Sequence, residues 1–118
     1  MARHNELGKE GERLAADWLM SSGYFILEKN WRIGKVEIDI IAKKGEWLHF
    51  IEVKTRTDNR WGRPEDSVNH QKFANWRRAV HGYLMSTRHY RWIQYDIIAV
   101  TLTDSAIPVI EIFEDVYC

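Results

Sequence analysis

Two strand-forming segments joined by a short turn constrain this chain more than any other feature. Val36 to Ala42 (VEIDIIA) and Trp47 to Arg56 (WLHFIEVKTR) flank Lys43-Lys44-Gly45-Glu46. β-Branched and aromatic residues favour strands, and so short a turn pairs its strands antiparallel. Alternation puts Glu37 and Asp39 on one face of the first strand, with Val36, Ile38 and Ile40 on the other. In the second strand Glu52 and Lys54 share a face, opposite Ile51 and Val53. Asp39 and Glu52 are then expected close together across the pair. Like charges facing each other in a sheet are destabilising unless water, a cation or a lysine neutralises them. Two carboxylates with water and phosphate oxygens suit Mg²⁺ or Mn²⁺. Lys54 could orient a water and stabilise developing negative charge. The corresponding reaction is metal-assisted hydrolysis of a phosphodiester. Alternating acid and lysine also occurs on ordinary half-exposed strands, so a solvated face stands beside this reading.

The flanking chain supplies helices to cover such a sheet. His4 to Ser22 is amphipathic, with Leu7, Gly11, Leu14, Ala15, Trp18 and Leu19 gathered on one side and Gly23 as its stop. Glu12 falls on the border of that stripe, where it points to the sheet edge or simply covers apolar surface. Tyr24 to Leu27 starts a strand that runs raggedly towards Arg32, and Gly34-Lys35 is a turn. Thr57 to Asp66 reads as a basic loop and Ser67 to Met85 as a second helix. Trp92 to Leu102 is a strong strand, and Pro108 marks Ile107 to Phe113 as an edge strand. The order of helix, three strands, helix, and one or two strands predicts a single α/β domain over 1–118, with helices on one sheet.

At 118 residues the chain suits one domain with one core. Its 17 basic and 17 acidic side chains cancel, which excludes a wholly basic nucleic-acid binder but not a local site. The cancellation is uneven. Residues 54–91 hold 9 basic and 3 acidic side chains, whereas residues 92–118 hold 5 acidic and none basic. The middle third is therefore a candidate surface for a polyanion, beside the plainer reading of a loop and a helix with solvated charged faces. The absence of a long apolar run, the lack of a signal-like N-terminus and the lone Cys118 point to a cytoplasmic protein without membrane contact.

A broader resemblance runs from about Asn5 to Val100. Gly8-Lys9-Glu10-Gly11-Glu12-x-x-Ala15, Gly23-Tyr24-x-Ile26-Leu27-x-x-Asn30-x-Arg32, Glu37-Ile38-Asp39-x-Ile41-Ala42 and Phe50-Ile51-Glu52-Val53-Lys54-Thr55-Arg56 resemble the YraN-like family of small bacterial proteins. Asp39 followed by Glu52-Val53-Lys54 is similar to the D…ExK form of the PD-(D/E)xK nuclease signature, shared with Holliday-junction resolvases. Val36 stands where the family commonly has Gly. The resemblance implies a restriction-endonuclease-like αβββαβ core, a mixed sheet flanked by helices. It implies Asp39 and Glu52 as ligands of Mg²⁺ (or Mn²⁺), with the Val53 carbonyl as a third, Lys54 as the catalytic lysine and Glu12 as a helix-borne carboxylate. Arg56 and Lys72 match family positions and are expected at phosphate; the roles of Glu37 and Thr55 stay open. The implied activity is DNA hydrolysis, on branched or single-stranded DNA, by a homodimer. The alternatives are a non-catalytic nucleic-acid-binding protein with this fold, or a structural or protein-interaction domain.

The remaining signals are weaker. The five histidines lack zinc-site spacing, and His49 has the opposite parity from Glu52. Arg60 and Arg63 flank Trp61-Gly62, which suits either grip on a nucleic acid or a packed loop anchor. Trp18, Trp76 and Trp92 fit amphipathic patterns and are expected in the core.

Overall fold

The computed structural model describes residues 2–57, 70–86, 92–102 and 107–116, with side chains described from Glu6 in the first stretch and Gln71 in the second. Helix α1 (Ala2–Ser21) leads into strands β1 (Phe25–Ile33), β2 (Val36–Lys44) and β3 (Trp47–Arg56). Helix α2 (His70–Met85), β4 (Trp92–Thr101) and β5 (Val109–Phe113) follow. The elements form one five-stranded sheet in the order β1-β2-β3-β4-β5. Among the described residues only β3 and β4 pair in parallel, because the connection through α2 returns the chain to the end at which β3 began. This is the expected α/β fold, consistent with a restriction-endonuclease-like core. Arg60, Arg63 and the first three residues predicted for the second helix lie outside the described residues.

The predicted helix stop is built as anticipated. Gly23 adopts φ 92°, a conformation costly for a residue with a Cβ. Tyr24 N–H donates to the Leu19 carbonyl at 2.9 Å and Gly23 N–H to that of Met20 at 3.3 Å. Tyr24 and Leu19 then meet in the same apolar cluster, completing a Schellman end.

The sheet divides the apolar interior, so the single expected core is two clusters. Ala15, Ala16 and Leu19 of α1 pack on Ile40, Ala42, Ile51, Ile98 and Val100. Trp76, Ala79, Val80 and Tyr83 of α2 pack on Ile38, Ile41, Leu48, Phe50 and Tyr95 across the sheet. Trp76 is in the core as expected, and Trp18 packs against its edge. Trp92 corrects the sequence reading. It is 51% exposed and stacks on half-exposed Trp47, with ring centroids 5.7 Å apart. Both rings start parallel strands at the Trp47↔Trp92 rung, at the end of the sheet.

Candidate functional site

The hairpin register is Lys44↔Trp47 through Ile40↔Ile51. Continued by one rung it would set Asp39 opposite Glu52, but the ladder ends there although both strands run on. The Val53 N–H donates to Asp39 Oδ2 at 2.8 Å. A carboxylate thus occupies the place of a ladder acceptor and holds open a fork between β2 and β3.

The fork coincides with a change of face. Val36 and Ile38 pack with the α2 cluster, whereas Ile40 and Ala42 pack with the α1 cluster. Simple alternation, which kept Val36, Ile38 and Ile40 together, therefore fails at Asp39. In β3 the alternation holds: Ile51 and Val53 pack towards α1, and Glu52 turns towards α2. Asp39 and Glu52 consequently do not share one face, correcting the simplest sequence picture. Asp39 lines an opening with Lys9, Glu12, Arg13 and Lys29. Glu52 lines another with Lys35, Glu37, Lys72 and Asn75.

The carboxylates that converge are Glu12, Glu37 and Asp39, each offering an oxygen within 4.8 Å of the others. Glu12 arrives from α1 because Gly11 lets that helix touch β3. A Cβ on Gly11 would lie within 2.8 Å of both Cβ and Cγ2 of Thr55. Glu12 Oε2 accepts from Asn30 Nδ2 at 3.1 Å, and Glu37 Oε2 from Arg32 Nε at 2.8 Å. Asn30 has φ 51°, a backbone state that Asn tolerates better than most side chains. One oxygen of each carboxylate is thus fixed by a donor, which sets the direction of the other. Glu37 already shared a face with Asp39 in the sequence pattern; its parity was the available signal.

Compensation of charge at the fork is uneven: Glu37 is paired with Arg32, whereas Asp39 has a backbone donor but no cation within ion-pair distance among the described residues. Burial raises the Asp39 pKa from 3.8 to about 7 against the opposing effect of the Val53 hydrogen bond, and the charges of Glu12, Glu52 and Glu37 push it the same way. Glu52 is differently placed. Its Oε1 meets Lys72 Nζ at 2.7 Å and Lys54 Nζ at 3.3 Å. Its Oε2 is buried without a hydrogen-bond partner among the described residues. Glu52 and Lys54, expected on one face, lie together and form an ion pair, and α2 adds Lys72. Arg56 is largely covered; its Nε donates to Thr101 Oγ1 at 3.1 Å and its Nη2 lies 3.5 Å from Glu111 Oε1.

One polar cluster lies away from the fork. Asp96, fully buried, places Oδ2 2.7 Å from His49 Nδ1, while Oδ1 accepts from Gln94 Nε2 at 2.9 Å and from Asp115 N–H at 3.0 Å. His49 packs edge-on against Tyr24, on the face opposite Glu52 as its parity anticipated. The acid inside WIQYDIIAVTL was the signal for Asp96, but its partner was invisible before β3 and β4 were paired.

The chain is similar to known proteins over most of its length. The model of the uncharacterised protein family UPF0102 matches residues 11–100. A UPF0102 protein of Flavobacterium psychrophilum is 44% identical over 117 residues, covering 99% of this chain and 98% of its own. One from Thermodesulfovibrio yellowstonii is 45% identical over 95 residues, covering 80% and 85% respectively. One from Rhodococcus opacus is 37% identical over 118 residues, covering 99% and 100%.

Proposed function

The chain belongs to the uncharacterised protein family UPF0102, the YraN family, and from that membership and the geometry of the fork we propose that it is a metal-dependent nuclease hydrolysing DNA phosphodiesters. The observation that carries the reading is the convergence of Glu12, Glu37 and Asp39 where β2 and β3 part. Three carboxylates gathered from a helix and a strand, one of them paired with Arg32 and one holding its proton to about pH 7, present clustered oxygens that a divalent cation would fit. The donors are all hard oxygens, as Mg²⁺ and Mn²⁺ require. The buried, unpartnered Glu52 Oε2 is a further oxygen for a cation lying between the two openings, in keeping with Asp39, Glu52 and the Val53 carbonyl as ligands. A bound Mg²⁺ or Mn²⁺ supplies Lewis acidity towards a phosphate oxygen and lowers the pKa of a bound water.

The chain's own residues do the rest. Val53 N–H, Asn30 and Arg32 orient Asp39, Glu12 and Glu37. Such preorganisation means that the carboxylates need little rearrangement as charge develops. Lys54, held beside Glu52, is placed to steer an attacking water and stabilise negative charge at phosphorus-bound oxygen. Branched and single-stranded DNA are the substrate forms to test.

The two lysines on Glu52 support a second reading, a nucleic-acid-binding protein that does not cut, because they neutralise that carboxylate without a metal. Incubating a four-way DNA junction and single-stranded DNA with the protein in Mg²⁺ or Mn²⁺ separates the two. Cleavage that disappears in Asp39→Asn while binding survives supports the nuclease; binding by the wild type without cleavage favours the second reading.

A further inference from the structure

The cations around the fork fall into two groups. Arg13 is held by Glu10 at 2.6 Å and Asp17 at 3.1 Å, and Arg32 by Glu37 at 2.8 Å. Lys54 and Lys72 are held by Glu52. Lys9, Lys29 and Lys35 are exposed and have no hydrogen-bond or ion-pair partner among the described residues. Their positions bracket the acids. Lys9 lies three residues, close to one helical turn, before Glu12 on α1. Lys29 pairs with Ile40, next to Asp39. Lys9 and Lys29 line the opening that contains Asp39, and Lys35 lines the one that contains Glu37 and Glu52.

We propose that Lys9, Lys29 and Lys35 are the phosphate contacts that carry a nucleic-acid backbone across the fork, an assignment that rests on the nuclease reading of the same site. A phosphodiester approaching three carboxylates is repelled, and cations at the rim must offset that repulsion before the backbone can come within reach. Cations already closed into ion pairs offer less than unengaged ones, since the existing pair must be broken first. The proposed contacts therefore all lie within residues 1–53, outside the basic stretch 54–91 that segment charge singles out, several of whose arginines lie outside the described residues. Arg56, the first arginine of that stretch, is turned to Thr101 and Glu111 instead.

The test uses Asp39→Asn as the parent, in EDTA, so that binding is read without cleavage. Fluorescence anisotropy of a fluorescein-labelled DNA duplex and a four-way junction is followed across a salt series. Adding Lys9→Ala, Lys29→Ala and Lys35→Ala is expected to weaken binding by ~tenfold or more at low salt and to reduce the log–log salt slope by about 2–3. The control triple Lys43→Ala, Lys44→Ala and Arg78→Ala removes the same charge at other exposed positions, and is expected to keep most of the parental affinity. Thermal melts confirm that both triples fold. An unchanged slope, an equal loss in the control, or a parent that binds neither DNA overturns the assignment. Failure of the wild type to cleave in Mg²⁺ or Mn²⁺ counts against the nuclease reading and leaves this binding result standing.

Discussion

Asp39 Oδ2 accepts the Val53 N–H at 2.8 Å, across the point where β2 and β3 stop pairing. The bond does two things at once. It satisfies a backbone donor that the parted strands would otherwise leave unpaired, and it aims an aspartate at the carboxylates arriving from α1 and from two residues upstream. Strand separation and site formation are thus one structural event.

Asp39 carries a pH signature. Its folded-state pKa of about 7 lies above its ordinary 3.8, so between those values the folded chain binds a proton that the unfolded chain has released. Stability contributed by the protonated group is full below about pH 4 and is lost as pH rises through about 7. In EDTA, Asp39→Asn is expected to exceed the wild type by on the order of 2 kcal/mol at pH 8, a figure reduced from the full shift because the site is partly solvated, and to match it near pH 4. Urea denaturation at the two pH values measures this. A difference that does not grow with pH contradicts it.

Divalent cation should reverse that penalty. At pH 8, Mn²⁺ at a hundredfold excess over its Kd is expected to stabilise the wild type by about 2.7 kcal/mol, and Glu12→Gln or Asp39→Asn to remove most of the gain. Glu37→Gln and Glu52→Gln distinguish the two donor sets that meet at Asp39. Retention of the Mn²⁺ shift in Glu52→Gln but not in Glu37→Gln assigns the ion to the Glu12, Glu37 and Asp39 set; the opposite pattern assigns it to Glu52. Thermal melts with and without Mn²⁺ suffice.

Gly11 positions Glu12 through its lack of a side chain. Gly11→Ala drives a methyl into Thr55 and is expected to destabilise the fold by about 1–3 kcal/mol as an overpacked contact. Adding Thr55→Gly removes the obstruction, so the double variant should be more stable than the two single losses added together. Strict additivity in denaturant midpoints would show that the contact does not set the helix position.

The buried His49–Asp96 pair is expected to matter for stability independently of the fork. Asp96→Ala leaves His49, Gln94 and the Asp115 N–H without their shared acceptor, at a cost of about 1–3 kcal/mol or more. Chemical denaturation reads it directly, and a loss below 1 kcal/mol would mean that water replaces the carboxylate.

Much of the fold was legible because its signals are local. The apolar stripe of α1, Gly23 as its stop and the short turn between β2 and β3 are decided by residues within a few positions of one another, through helical period, backbone preference and chain reversal. Asp39, Glu52 and Lys54 could be singled out for the same reason, as charges where a strand pattern wanted apolar side chains. Alternation placed His49 on the face away from Glu52 correctly.

By itself, then, the sequence determined the elements, their order, and the strands that carry acidic charge. Tertiary structure alone decided which charges meet. The change of face at Asp39 arises where β2 leaves β3, so a strict period of two could not place Asp39 relative to Glu52. Lys72 reaches Glu52 only because α2 crosses the sheet, and Asp96 reaches His49 only because that crossing makes β4 parallel to β3. Trp92 fits an apolar pattern yet lies exposed at the sheet end. Periodicity reports the direction in which a side chain leaves its own element; the group waiting there belongs to a distant part of the chain, brought in by packing.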